Sequence, residues 1–176
     1  MSERSYFEPD PVLFFEGVRS KEEFINAYLV KGNFGQSVPR DVKESFKTAE
    51  YLMAHSYFYT PMYDEAFRKV LGIHEMAVKL RCKELGIELL KKGKAGKKDQ
   101  PKNLGTLHIE LMKRLDLEIF RYTFDKVLEY RNEKAHPEKH AFGGTLYKMH
   151  IEMIVKFINL IFETTAAGSD LKTSEL

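Results

Sequence analysis

The sequence predicts an all-α fold, an antiparallel bundle of about six helices with a basic loop between the third and fourth. Three observations carry this. Apolar residues recur at three- and four-residue spacing in successive stretches, which puts them on one face of a helix. Cap residues or a first-turn proline stand ahead of most of these stretches. No run shows sustained two-residue alternation with β-branched enrichment, and no internal repeat is visible.

With 176 residues, 43% of them hydrophobic and 31% charged, the chain has the apolar content for one domain with its own core. A formal charge of +2 is too small to mark nucleic-acid or membrane binding, so any electrostatic argument is local. Cys82 is the only cysteine, which excludes an internal disulfide framework and a cysteine-based zinc ribbon. Glu3, Glu8 and Asp10 interrupt the first ten residues, and no segment approaches a charge-free membrane span. The expectation is a soluble, cytoplasmic protein.

In chain order, residues 1–19 read as an irregular arm, with Pro9 and Pro11 around Asp10 and a short apolar run, Val12 to Phe15, that docks on the body. Residues 20–165 read as the bundle and 166–176 as a polar tail. Ser20 and Glu23 form a capping-box pattern for a first helix to about Lys31. Gly32, Asn33 and Gly35 end it, and Pro39 opens a second helix that runs to about Tyr59. Thr60-Pro61 restarts the chain in a third helix, where Phe67, Val70, Leu71, His74, Ala77, Val78 and Leu85 share a face and Cys82 sits beside it as a small buried hydrophobe. His74 is expected to be a core histidine with a hydrogen-bond partner.

Lys91 to Lys102 holds six lysines with Gly93, Gly96 and Pro101 and has no apolar period. It reads as a basic connector, and Lys94, Lys97 and Lys98 are its candidates for steering RNA phosphates. Asn103 caps a fourth helix whose buried side is Leu104, Leu107, Leu111, Met112 and Leu115. Asp116 is expected to cap the fifth, which turns Phe120, Phe124, Val127 and Leu128 to the core and runs into Arg131 and His136. Gly143 and Gly144 separate it from a sixth helix with Leu146, Met149, Ile154, Ile158, Ile161 and Phe162 as its apolar residues.

The candidate chemistry lies in Glu129 to Pro137, Glu-Tyr-Arg-Asn-Glu-Lys-Ala-His-Pro. At about 100° per residue Arg131 falls on the stripe of Phe124, Val127 and Leu128, so its guanidinium points toward packing and needs a partner. A phosphate is one such partner. Arg131 and His136 stand about 140° apart on an ideal helix. They meet only if Pro137 loosens the helix end, since a residue before proline is biased out of the helical region, or if they meet across a dimer axis. The spacing by itself is common, as Arg68 and His74 show; the adjacent Asn132, the preceding apolar helix and the closing Pro137 set the second pair apart.

Arg131, Asn132 and His136 resemble, position by position, the signature of the HEPN (higher eukaryotes and prokaryotes nucleotide-binding) superfamily of small helical bundles. The resemblance implies a metal-independent endoribonuclease that needs no cofactor and acts as a homodimer with both motifs in one cleft, in a toxin–antitoxin or abortive-infection setting with an antitoxin or larger partner. His136 would move the proton of the ribose 2′-hydroxyl or of the leaving 5′-oxygen, with an ordinary pKa near ~6.5. Arg131 would hold the scissile phosphate and Asn132 orient it, giving a 2′,3′-cyclic phosphate. Glu138 stands where one branch of the superfamily has a modifiable tyrosine, which argues against control by that modification. A di-iron reading of Glu133 and His136 lacks the second Glu-x-x-His it needs. A mononuclear metal site from His136, His140 and His150 is opposed by Pro137, which breaks the helix the first two would share. The competing reading is a non-catalytic RNA- or protein-binding domain, with Arg131 and His136 tying helices together and Tyr57 or Tyr59 on a partner surface.

Overall fold

The computed structural model describes residues 5–93, 98–135 and 143–166. Seven α-helices lie among them: α1 Pro11–Phe15, α2 Lys21–Tyr28, α3 Arg40–His55, α4 Met62–Glu84, α5 Leu104–Leu115, α6 Arg121–Ala135 and α7 Lys148–Glu163. A two-residue ribbon, β1 Leu90–Lys91 paired antiparallel with β2 Gln100–Pro101, closes the stem of the lysine connector. The all-α bundle predicted from periodicity is therefore what the chain forms.

Helix α4 is the axis of the molecule, packing against α3, α5, α6 and α7. Its 23 residues bury Tyr63, Ala66, Phe67, Val70, Leu71, Ile73, His74, Ala77, Val78 and Cys82, a stripe too wide for one neighbour. Val42, Phe46, Ala49 and Met53 of α3 cover one side. Leu107, Leu111 and Met112 of α5, Phe124 and Val127 of α6, and Ile151, Ile154, Ile158 and Ile161 of α7 complete the core. Cys82 is buried within it, and that burial pushes its thiol up to about 11, which makes it inert packing.

Several ends differ from the sequence reading, each for a local reason. The arm is not wholly irregular: the Asp10 carboxylate accepts the Val12 backbone N–H, Pro11 takes the first turn, and α1 forms. Only Leu13 of its apolar run docks, against Phe24 and Tyr57, while Phe14 and Phe15 stay exposed. Asp10 also accepts the Thr60 N–H at 2.8 Å, so the arm is pinned to the α3–α4 corner. Thr60 supplies no side-chain cap to α4. Helix α3 stops at His55 because the following aromatics turn the corner, with Tyr57 buried and Tyr59 exposed; of the two proposed surface tyrosines only Tyr59 qualifies.

Asp116 does not start α6. It ends α5 with a left-handed φ of 54°, a conformation that Asp tolerates better than most residues, and a single 3-10 turn at Glu118–Phe120 leads into α6. A second such turn, Gly144–Tyr147, precedes α7 and leaves Leu146 and Met149 exposed instead of in the core. Past Ala166 the expected polar tail lies outside the described residues, as do residues 1–4 of the arm. No helix among the described residues is long and apolar enough to cross a membrane.

Candidate functional site

Helix α6 carries the predicted pair Arg131 and Asn132 at its C-terminal end. Phe124 and Val127 are fully buried two turns and one turn earlier, and the same stripe brings Arg131 against α4, half-buried, as its helical position requires. Its partner there is a carboxylate. Arg131 Nε donates to Glu75 Oε2 at 3.2 Å, and Nη1 reaches Asn132 Oδ1 at 3.4 Å. Glu75 also accepts from Lys79 Nζ at 2.7 Å. Burial opposes the Glu75 charge, yet the two cations outweigh it and hold its carboxyl below the usual range.

Of the three proposed catalytic residues, then, Arg131 and Asn132 stand together at the surface end of the core stripe, and His136 lies outside the described residues. Among the proposed phosphate-steering lysines, Lys98 is exposed beside the ribbon, while Lys94 and Lys97 lie outside the described residues. The ribbon stem is held by Lys102 N–H on the Leu89 carbonyl and Gly93 N–H on Asp99. Sequence periodicity could not reveal so short a ribbon.

The most heavily bonded group near the motif is one that sequence reasoning passed over. Asp64, in the first turn of α4, is 6% exposed. Its Oδ1 accepts from Lys134 Nζ at 3.0 Å and Gly143 N–H at 3.1 Å, and its Oδ2 from Gly144 N–H at 3.0 Å. One carboxylate thus grips the chain two residues before His136 and again at Gly143. Gly144 has φ +52°, and a Cβ there would stand 3.2 Å from Thr60 Cγ2, so glycine lets both amides turn toward Asp64. Lys134 Nζ lies 4.7 Å from the centre of the Tyr147 ring, which stacks on Phe67 at 4.2 Å. Burial works against the Lys134 charge, but its bonds to Tyr147 and Asp64 more than offset it and raise its pKa. Tyr130 and His150 close the floor, with the Tyr130 hydroxyl 2.8 Å from His150 Nε2.

A second polar cluster sits deeper. His74 of α4 and His108 of α5 are both buried, edge to face at 5.1 Å, with Phe124 against each. His74 is a core residue as predicted, but the expected hydrogen bond is missing: neither ring nitrogen of either histidine has a partner among the described residues. No three His, Cys, Asp or Glu side chains among the described residues gather as metal ligands.

No family model matches the chain, and no curated protein or solved structure matches it.

Proposed function

We propose that the protein is a metal-independent endoribonuclease of the HEPN type, working in the cytoplasm as a homodimer in a toxin or phage-defence setting. The observation that carries the reading is the placement of Arg131 and Asn132, side chains in contact, at the head of a segment whose two flanks are bound by one buried carboxylate, Asp64. His136 lies in that segment by sequence. In the proposed reaction His136 accepts the 2′-hydroxyl proton, the 2′-oxygen attacks phosphorus and the 5′-oxygen departs with a proton, leaving a 2′,3′-cyclic phosphate. Arg131 neutralises the charge that builds on the phosphate oxygens, for which it exchanges one Glu75 oxygen for two of phosphate. Lys94, Lys97 and Lys98 draw in the RNA backbone. An antitoxin chain or a larger defence complex is the partner this reading implies.

The Arg131–Glu75 ion pair favours the second reading, a non-catalytic RNA- or protein-binding domain, because it gives the guanidinium a structural task. The Glu75→Gln variant separates a phosphate-binding task for Arg131 from a purely structural one. If Arg131 serves phosphate, removing its resident anion raises affinity for a non-cleavable 2′-deoxy-substituted RNA, measured by fluorescence anisotropy. If Arg131 only ties α6 to α4, affinity is unchanged and the melting temperature drops.

A further inference from the structure

Helix α4 is enclosed by its neighbours except along one strip, where Glu65, Arg68, Lys69, Gly72 and Lys79 are exposed. The strip forms the floor of a groove of about 640 Å³ between α3 and α4, continued by a second of about 380 Å³ along α4. Gly72 and Met76 belong to both. Gly72 is the low point: a Cβ built there meets nothing within 4 Å. A mid-helix glycine weakens a helix, and no neighbour among the described residues needs the space it leaves.

The charges around Gly72 are arranged about it. Glu65 and Lys79 stand seven residues to either side, and Lys69 and Glu75 three to either side. A two-fold axis through Gly72, perpendicular to the helix, exchanges each position with its opposite number, so a second α4 laid antiparallel places Glu65 over Lys79 and Lys69 over Glu75, twice each. Seven residues is ~10 Å along the helix, within reach of such side chains at a shallow crossing. Arg68 meets Met76 in the same register, which sets no like charges opposite each other among these six.

We infer that this face of α4 is where a second copy of the chain docks, the two helices crossing antiparallel at Gly72 with Glu65–Lys79 and Lys69–Glu75 pairs between copies. The inference rests on the homodimer reading above and supplies its interface. It also reaches Arg131: Lys79, which now bonds Glu75, turns to Glu65 of the second copy while Lys69 of that copy takes its place, so the carboxylate that holds Arg131 at 3.2 Å lies at the edge of the interface.

Sedimentation velocity over a wide concentration range tests this, with RNA cleavage measured on the same samples. The wild-type chain is expected to be a dimer. Glu65→Lys and Lys79→Glu each weaken it about tenfold or more by setting like charges opposite, and the double variant restores it. Gly72→Arg is expected to be monomeric yet to melt no lower than the dissociated Glu65→Lys variant, because arginine suits an exposed helix better than glycine; this separates a blocked interface from a misfolded chain. A monomeric wild type, a dimer untouched by Gly72→Arg, or a charge swap that fails to restore association overturns the inference. Dimers with these responses that leave RNA intact uphold the interface and remove the nuclease; RNA cleaved by a monomer does the reverse.

Discussion

Asp64 and its three donors set the strongest constraint at the scale of single residues. Replacing it with alanine leaves Lys134 buried beside two unanswered backbone amides, and breaking a buried pair from one side costs about 3 kcal/mol. Urea unfolding of Asp64→Ala should show that loss, and Asp64→Asn, which keeps two acceptor positions at most, about 1 kcal/mol. The His74–His108 pair makes a prediction about pH. Burial lowers both, His74 well below its ordinary value and His108 to about 4 against a smaller pull from Glu75. Both are neutral in the fold, whereas in the unfolded chain they protonate near ~6.5. Below that pH the unfolded state binds more protons, so stability is fully present above it and declines as pH falls from ~6.5 toward 4. Each histidine contributes a slope of up to about 1.4 kcal/mol per pH unit. Urea midpoints measured through this window should flatten in the His74→Leu, His108→Leu double variant. None of this was legible beforehand: Asp64 meets Lys134 across 70 positions of chain, and a histidine on an apolar stripe says nothing about whether its nitrogens are paired.

At the scale of elements, the sequence predicts best where burial is one-sided. The stripes of α4 and α5, and that of α7 from Ile154 onward, place their apolar residues where periodicity expects, because a helix that buries one face has no other way to satisfy them. Ends were read less well. Asp116 fits a helix start by composition and serves as a helix end, since its neighbour Leu117 is buried and turns the chain before a new helix can begin. Arg131 was expected to face packing and does, but its partner is the Glu75 carboxylate, which no spacing rule on α6 reveals. For the lysine connector, changing Lys94, Lys97 and Lys98 to Gln should weaken RNA binding and reduce the slope of log affinity against log salt by about 2, given ~0.7 per phosphate contact on a single strand. A filter-binding titration at several salt concentrations measures both.

For the whole molecule, a central α4 surrounded by α3, α5, α6 and α7 gives a rigid frame with the motif at one end of α6 and an open strip on α4 beside it. Glu75 joins the two, lining the strip and holding Arg131, so the proposed association and the proposed chemistry meet at one carboxylate. The bundle architecture was readable from hydrophobic period alone; which surface stays open was not, because exposure on α4 depends on how four other helices divide its circumference. The central claim, that this frame presents Arg131, Asn132 and His136 to RNA without a metal, is tested most directly by incubating purified protein with single-stranded and structured RNA in EDTA beside Arg131→Ala and His136→Ala. Cleavage is expected in EDTA with 2′,3′-cyclic phosphate ends, reduced about 100-fold or more in either variant. Cleavage that requires added metal, cleavage that survives both substitutions, or intact RNA throughout would contradict it.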